Sequence, residues 1–225
     1  MTDIPAEGTI TGLEAVPGKS DRLRLYLDGR LAREISTITA TAHELRLGQH
    51  LSEAAVATLV GEEEREAAMA ASLRLLSQRA RSVAELRTRL LHQGRPPAIV
   101  ERVIARLKEL EYLDDAAFAQ RWVETRQRTS PRGAVLLHRE LQQHGIDRHV
   151  AEQAVASTAG DAHAQARRAA APRLARLANA DFEIFARRLG GFLTRRGFPA
   201  GVVYEVVRDL WQERGEAIPD GYDER

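Results

Sequence analysis

The spacing of apolar positions changes once along the chain. Leu23, Leu25 and Leu27 alternate with Arg22, Arg24 and Tyr26, the period of a half-buried strand. Asp28-Gly29 follows at once and suits the positive φ angles of a two-residue hairpin turn. Residues 31–35 then form the return strand, and residues 9–15, closed by Pro17-Gly18, a preceding one. A small antiparallel sheet is predicted over about residues 8–37. From Leu51 onward the period is helical. Ser52 is placed to cap a helix from Glu53 through Val60, and Glu62-Glu63-Glu64 reads as a solvated helix face or connector.

The dominant feature beyond that point is an internal repeat. Leu86-x3-Leu90-x3-Gly94 recurs as Leu137-x3-Leu141-x3-Gly145 and as Leu189-x3-Leu193-x3-Gly197, with the glycines 51 and 52 residues apart. Apolar residues return at fixed offsets after each glycine. Five on come Ile99, Val150 and Val202; nine on, Val103, Ala154 and Val206; ten on, Ile104, Val155 and Val207. Leucines four apart share a helix face, and a glycine one turn later serves the left-handed residue that ends a helix. A second amphipathic helix follows each glycine. Ser82 with Glu85 forms a capping box for the first copy, Ser130-Pro131 supplies a cap with proline at the first helical position for the second, and Asp181 caps the third. A further helix leads into each copy, at about 65–78, 115–128 and 161–178.

The predicted fold is therefore mainly α. Tandem three-helix repeats, about nine helices in a curved, elongated solenoid, follow a small N-terminal antiparallel β-hairpin or sheet. The expected divisions are a β-rich extension (1–50), a helical connector (51–64), repeats at 65–112, 113–158 and 159–213, and a flexible tail (214–225). Such bodies present long binding surfaces rather than one deep pocket, which favours an interaction protein over an enzyme.

Composition agrees. The 225 residues are 44% apolar and only 5% aromatic, rich in the unbranched residues that lose little rotamer freedom in helices. The absence of cysteine excludes disulfides, thiolate metal sites and thiol catalysis. No run approaches the ~20 apolar residues that span a bilayer, and MTDIPAEGTI lacks a signal-peptide pattern. The expectation is a cytoplasmic, monomeric protein with no membrane association.

The net charge of +1 hides a polarity. Residues 1–66 carry 7 basic and 12 acidic groups, residues 67–148 carry 15 and 9, and the remainder carries 11 of each. All but two of the basic residues, Lys19 and Lys108, are arginine, the side chain suited to forked contacts with carboxylates and phosphates.

No constellation for catalysis emerges, and no cofactor or metal is expected. Gly18-Lys19-Ser20 imitates the end of a phosphate-binding loop, but Leu13 stands where the first glycine belongs and a strand follows instead of a helix. The seven histidines are not arranged as a helical zinc site, and HExxH is absent. His92 and His144 fall in the last turns of helices, where they face carbonyls and the dipole. Asp114-Asp115 reads as a helix cap opposing the dipole of the following helix, with Phe118 and Trp122 in the core. The arginines remain, as a solvated face laced with ion pairs or as a binding surface.

At this point particular segments match a family. Arg79-Ala80-Arg81-Ser82-Val83-Ala84-Glu85-Leu86, Tyr112-Leu113-Asp114-Asp115-Ala116-Ala117-Phe118-Ala119, and Arg132-Gly133 with Glu140-Leu141 and Gly145-Ile146 resemble the RecX family of bacterial recombination regulators. The match covers about residues 65–157 strongly and the third repeat more loosely. Glu111 departs from it, standing where the family often has glycine. The resemblance implies a non-enzymatic regulator of recombination and DNA repair that lies in the groove of the RecA–DNA filament and inhibits its ATPase and strand exchange. The partners implied are the RecA filament and single- and double-stranded DNA. The surface implied comprises Arg81, Arg87, Arg89, Arg121, Arg126, Arg128, Arg132 and Arg139. Two other readings stand beside it: a sequence-independent DNA-binding helical protein, and a generic helical scaffold. Reversing Arg126, Arg128 and Arg132 together to glutamate is expected to weaken filament binding and leave the helical fold intact.

Overall fold

The computed structural model describes residues 5–158 and 161–217. Strands β1 (Gly8–Val16), β2 (Lys19–Leu27) and β3 (Arg30–Ser36) are followed by the short helix α1 (Thr37–Ala42) and strand β4 (His50–Leu51). The sheet is antiparallel in the order β3-β2-β1-β4. The β2–β3 hairpin turns on Asp28 (φ 47°) and Gly29 (φ 77°), as the Asp-Gly pair predicts. Asp28 also accepts a hydrogen bond from the Thr9 N–H (3.0 Å), tying the turn to β1. Ile10, Leu25, Leu27 and Ile35 fill the core beneath the sheet with Leu51 and Leu59. Sequence periodicity missed α1, which Ser36 caps through its side chain, and the two-residue β4, too short to show a period.

Helix α2 runs unbroken from Glu53 to Gln78, capped by Ser52. The expected break near Val60 does not occur, because Gly61 is the weakest helix former in the stretch and one glycine costs only about 1 kcal/mol in a helix. The glutamate run within α2 is a second correction. Glu63 is buried, salt-bridged to Arg22 at 2.6 Å and hydrogen-bonded by the Ser36 N–H. Burial pushes its carboxyl up, but the Ser36 N–H, Thr39 and Arg22 outweigh that and hold it below the ordinary glutamate value. Glu62 faces His43 at 2.6 Å. Two members of the run are therefore anchors between α2 and the sheet region, not a solvated face.

Eight further helices follow: α3 (Val83–His92), α4 (Pro97–Glu109), α5 (Asp115–Thr129), α6 (Ala134–Gln143), α7 (Arg148–Thr158), α8 (Ala162–Leu174), α9 (Phe182–Arg195) and α10 (Ala200–Gln212). A 3-10 turn at Ala175–Leu177 extends α8 beyond Pro172. The repeat leucines are the centre of the packing: Leu86, Leu90, Leu137, Leu141, Leu189 and Leu193 are each at most 1% exposed. Positions nine and ten after each glycine are buried as expected. The deepest position early in each following helix is six after the glycine, at Val100, Ala151 and Val203, while Val150 and Val202 are only half-buried.

Gly94, Gly145 and Gly197 adopt φ of 76°, 72° and 82°. Each ends its helix with the same bond, in which the N–H of the next residue reaches a carbonyl five back: Arg95 to Leu90, Ile146 to Leu141, Phe198 to Leu193. The end of α4 repeats this closure from Tyr112 to Leu107, with Glu111 at φ 59° in the glycine's place. Ser82–Glu85 is a capping box, and Asp114 and Asp181 cap α5 and α9. Ser130 corrects the prediction: it ends α5, and α6 starts behind Gly133. Tertiary contact decides this, since the Gly133 N–H is bonded to the Arg196 carbonyl (2.8 Å) and the Arg196 guanidinium reaches Ser130 Oγ.

The chain divides into two compact units, Met1–Arg79 with Leu86–Tyr112, and Ala80–Glu85 with Leu113–Arg225. In the first, α2 packs on α4. In the second, α5, α6 and α7 surround one core containing Phe118, Leu137 and Leu141, and α8, α9 and α10 surround another containing Phe185, Leu189 and Trp211. The stretch expected as a flexible tail begins with a residue that makes contacts within the unit. Arg214 stacks on Trp211 (4.3 Å) and donates to the Ala178 carbonyl (2.7 Å); residues 218–225 lie outside the described residues.

Candidate functional site

The arginines singled out by sequence separate into two kinds. Arg126 and Arg132 converge on one carboxylate. Arg126 Nε lies 3.1 Å from Glu140 Oε2 with its guanidinium 4.2 Å from the Trp122 ring centroid. Arg132 pairs with the other oxygen, Oε1. Trp122 Nε1 donates to Glu140 as well, at 3.0 Å. Glu140 is buried at 8% exposure, so this carboxylate is saturated by three donors from α5 and the segment before α6. Burial together with the Arg126 and Arg196 charges lowers the Arg132 pKa. One carboxylate thus answers two guanidinium groups, and the knot is both structural and net positive.

Arg87 is also committed. Its Nε and Nη2 fork onto Glu101 at 2.7 and 2.9 Å, bracing α3 against α4, and this fork holds the Glu101 carboxyl below its ordinary value. Arg81 is half-buried ahead of α3. The remaining four are different. Arg89 on α3, Arg121 and Arg128 on α5, and Arg139 on α6 are exposed. No carboxylate among the described residues forms a salt bridge with any of them. Arg121 and Arg128 are seven apart, two turns along one face of α5.

The expectation that reversing Arg126, Arg128 and Arg132 leaves the fold intact therefore needs revision. Glutamate at 126 and 132 would surround Glu140 with carboxylates in a half-buried site, and the fold would bear the cost. Arg121, Arg128 and Arg139 are the probes that leave this knot alone.

Sequence reasoning also missed what joins successive helices in the second unit. Ser82 Oγ donates to the His144 carbonyl, and Asp115 Oδ1 accepts from the Val83 N–H at 2.9 Å. His144 does more than face a helix end: its ring packs on Trp122 at 4.2 Å and Nδ1 lies 3.1 Å from Glu85 Oε1. Two of the repeat glycines, Gly145 and Gly197, are points of close approach in this unit. A Cβ on Gly145 would strike the Ala84 methyl, and one on Gly197 would strike the Leu136 backbone nitrogen, whereas one on Gly94 would meet nothing. Among the described residues no group of three or more His, Asp or Glu is placed to hold a metal ion. No described helix is long and apolar enough to cross a membrane.

Two family models match this architecture: the first three-helix domain of RecX over residues 68–107, and the second three-helix domain over residues 114–155. The regulatory protein RecX of Amycolatopsis mediterranei is 36% identical over 142 residues, covering 63% of this chain and 81% of that protein. The chain belongs to the RecX family. The RecX protein of Thermobifida fusca is 35% identical over 152 residues, with coverage of 67% and 82%. A crystal structure of a regulatory protein RecX superposes with a TM-score of 0.70 over 89% of this chain and 98% of its own, at 24% identity, which speaks for the fold alone. Both matched RecX domains carry exposed arginines named above, Arg89 in the first and Arg121, Arg128 and Arg139 in the second. The third helix group, α8–α10, lies beyond both matched segments.

Proposed function

We propose that this chain is a non-enzymatic regulator that binds the RecA–DNA filament and inhibits its ATP hydrolysis and strand exchange, acting as a cytoplasmic monomer. The observation that carries the reading is the placement of four uncommitted arginines, Arg89, Arg121, Arg128 and Arg139, on the two segments that match RecX domains. Uncommitted guanidinium groups are free to fork onto carboxylates or phosphates of a partner. Several moderate contacts on one body combine into tight capture of a repeating filament, with charge steering the encounter.

The test is DNA-dependent ATP hydrolysis by the cognate recombinase, titrated with this protein at fixed salt. Inhibition at protein levels below the recombinase concentration supports the reading. The Arg121→Glu/Arg128→Glu/Arg139→Glu variant should need at least about tenfold more protein for the same inhibition, since reversed rim charges act on encounter rates. Its circular dichroism should be unchanged, because none of the three, all exposed, forms a salt bridge among the described residues. A flat titration with the unmodified protein removes filament inhibition as its function.

A further inference from the structure

The third helix group holds a concavity of about 420 Å³ ringed by Arg173 of α8, Arg176 of the 3-10 turn, and Arg187, Arg188 and Arg195 of α9. Buried Leu177 and Leu189 form its floor, half-buried Phe192 forms a wall, and no carboxylate lines it. All five arginines are exposed. Arg187 approaches Glu183 at 3.8 Å, a loose pair between two exposed side chains. Among the described residues, Arg173, Arg176, Arg188 and Arg195 form no salt bridge.

The arrangement follows from local geometry. Arg188, Phe192 and Arg195 are spaced four and three apart and share one face of α9, beside the face that buries Leu189 and Leu193. Arg173 and Arg176, three apart, share an edge of α8 and its 3-10 extension. Whole-segment charge conceals this. Residues 161–197 contain eight arginines and three carboxylates, while residues 198–225 contain three arginines and seven carboxylates, so the two together net only +1.

Unpaired like charges around a low-dielectric floor focus a positive potential and are best neutralised by an anion. The basic groups continue beyond the pocket. The Phe192 ring centroid lies 4.7 Å from the Arg173 guanidinium and 5.0 Å from that of Arg196, and the Arg196 charge acts in turn on Arg132. A row of this kind outruns a single small anion and suits a polymeric one. A half-exposed ring among guanidinium groups is the combination that single-strand binding surfaces use, phosphates on the cations and a base on the ring. An acidic polypeptide would leave the ring unused.

We infer that this pocket binds the phosphate backbone of a single-stranded nucleic acid, with Phe192 stacking against a base. The inference deepens the proposed filament reading by giving the protein a direct contact to the strand, and its test omits the recombinase so that either can fail alone.

The experiment is fluorescence anisotropy of a labelled oligothymidylate titrated with the full chain at several salt concentrations. The Arg173→Ala/Arg188→Ala/Arg195→Ala variant should bind at least about tenfold more weakly. Its log-log salt slope should fall by about 2, at roughly 0.7 per single-strand phosphate contact. The Arg30→Ala/Arg74→Ala/Arg102→Ala variant, which removes three exposed arginines of the other unit, should match the unmodified protein. Phe192→Leu should weaken oligothymidylate and leave an abasic phosphodiester strand unaffected. If the pocket triple loses helicity, Arg188→Gln and Arg195→Gln singly carry the test, each lowering the slope by about 0.7. Absence of binding by the unmodified protein, or equal binding by the pocket variant, overturns the inference. So does polyglutamate binding that depends on these three arginines while oligothymidylate binding does not. Loss of strand binding with ATPase inhibition retained would leave the filament reading standing; strand binding without inhibition would do the reverse.

Discussion

Replacing each repeat glycine with alanine separates two reasons for having glycine there. All three adopt positive φ, so each alanine carries the left-handed penalty of about 1–2 kcal/mol. The less flexible unfolded chain returns about 0.4–1 kcal/mol of it. For Gly94 nothing else is added, because the new methyl meets no atom; the expected loss is about 1 kcal/mol. For Gly145 the methyl runs into the Cβ of Ala84, which has no rotamer by which to move aside. For Gly197 it runs into the backbone nitrogen and Cβ of Leu136. Forced overpacking of this kind adds about 1–3 kcal/mol, so both should lose about 2–4 kcal/mol in all. Urea unfolding followed by helical circular dichroism reads the order directly, as shifts in midpoint at constant slope. A Gly94→Ala loss equal to or larger than the other two would refute the argument that Gly145 and Gly197 are also points of close approach.

Glu140→Ala should cost about 3–5 kcal/mol, measured the same way, because it leaves Arg126 and Arg132 half-buried without their carboxylate. Glu111→Gly should raise stability by about 1 kcal/mol, since α4 then ends on a residue with no left-handed penalty. Glu63 sets a pH dependence. Its folded-state pKa lies below the ordinary value, so the unfolded chain binds the proton first. Its contribution is therefore full above the unfolded glutamate pKa of about 4.3 and is lost as pH falls through the lower folded value. Glu63→Gln should flatten the acid limb of midpoint against pH, and an unchanged limb would remove Glu63 as its source.

Much of the architecture was legible in order along the chain because its determinants are local. The period-2 run around Leu25, the Asp28-Gly29 turn and the three Leu-x3-Leu-x3-Gly cassettes each depend on residues within a few positions of one another. So do the Ser52, Asp114 and Asp181 caps. Element ends governed by distant contacts were not legible. Ser130-Pro131 has the chemistry of a helix start, yet Arg196 draws that segment into a different role and α6 begins after Gly133. The glutamate run in α2 looks solvated until Arg22 and Ser36 are brought to Glu63 from the sheet region.

The candidate surface divides along the same line. Sequence alone determined that the middle of the chain is basic, that its cations are almost all arginine, and that they ride on repeated helices. It could not distinguish a spent arginine from an available one, because that depends on which carboxylate folding brings within reach. Tertiary structure spent Arg126 and Arg132 on Glu140 and Arg87 on Glu101, and left Arg89, Arg121, Arg128 and Arg139 exposed. It also gathered five arginines of the third helix group around one concavity in a stretch, residues 161–225, whose charges sum to only +1. Charge along a sequence adds regardless of direction, whereas the potential at a surface depends on which side of a helix each charge faces and on the distance to its counter-ion.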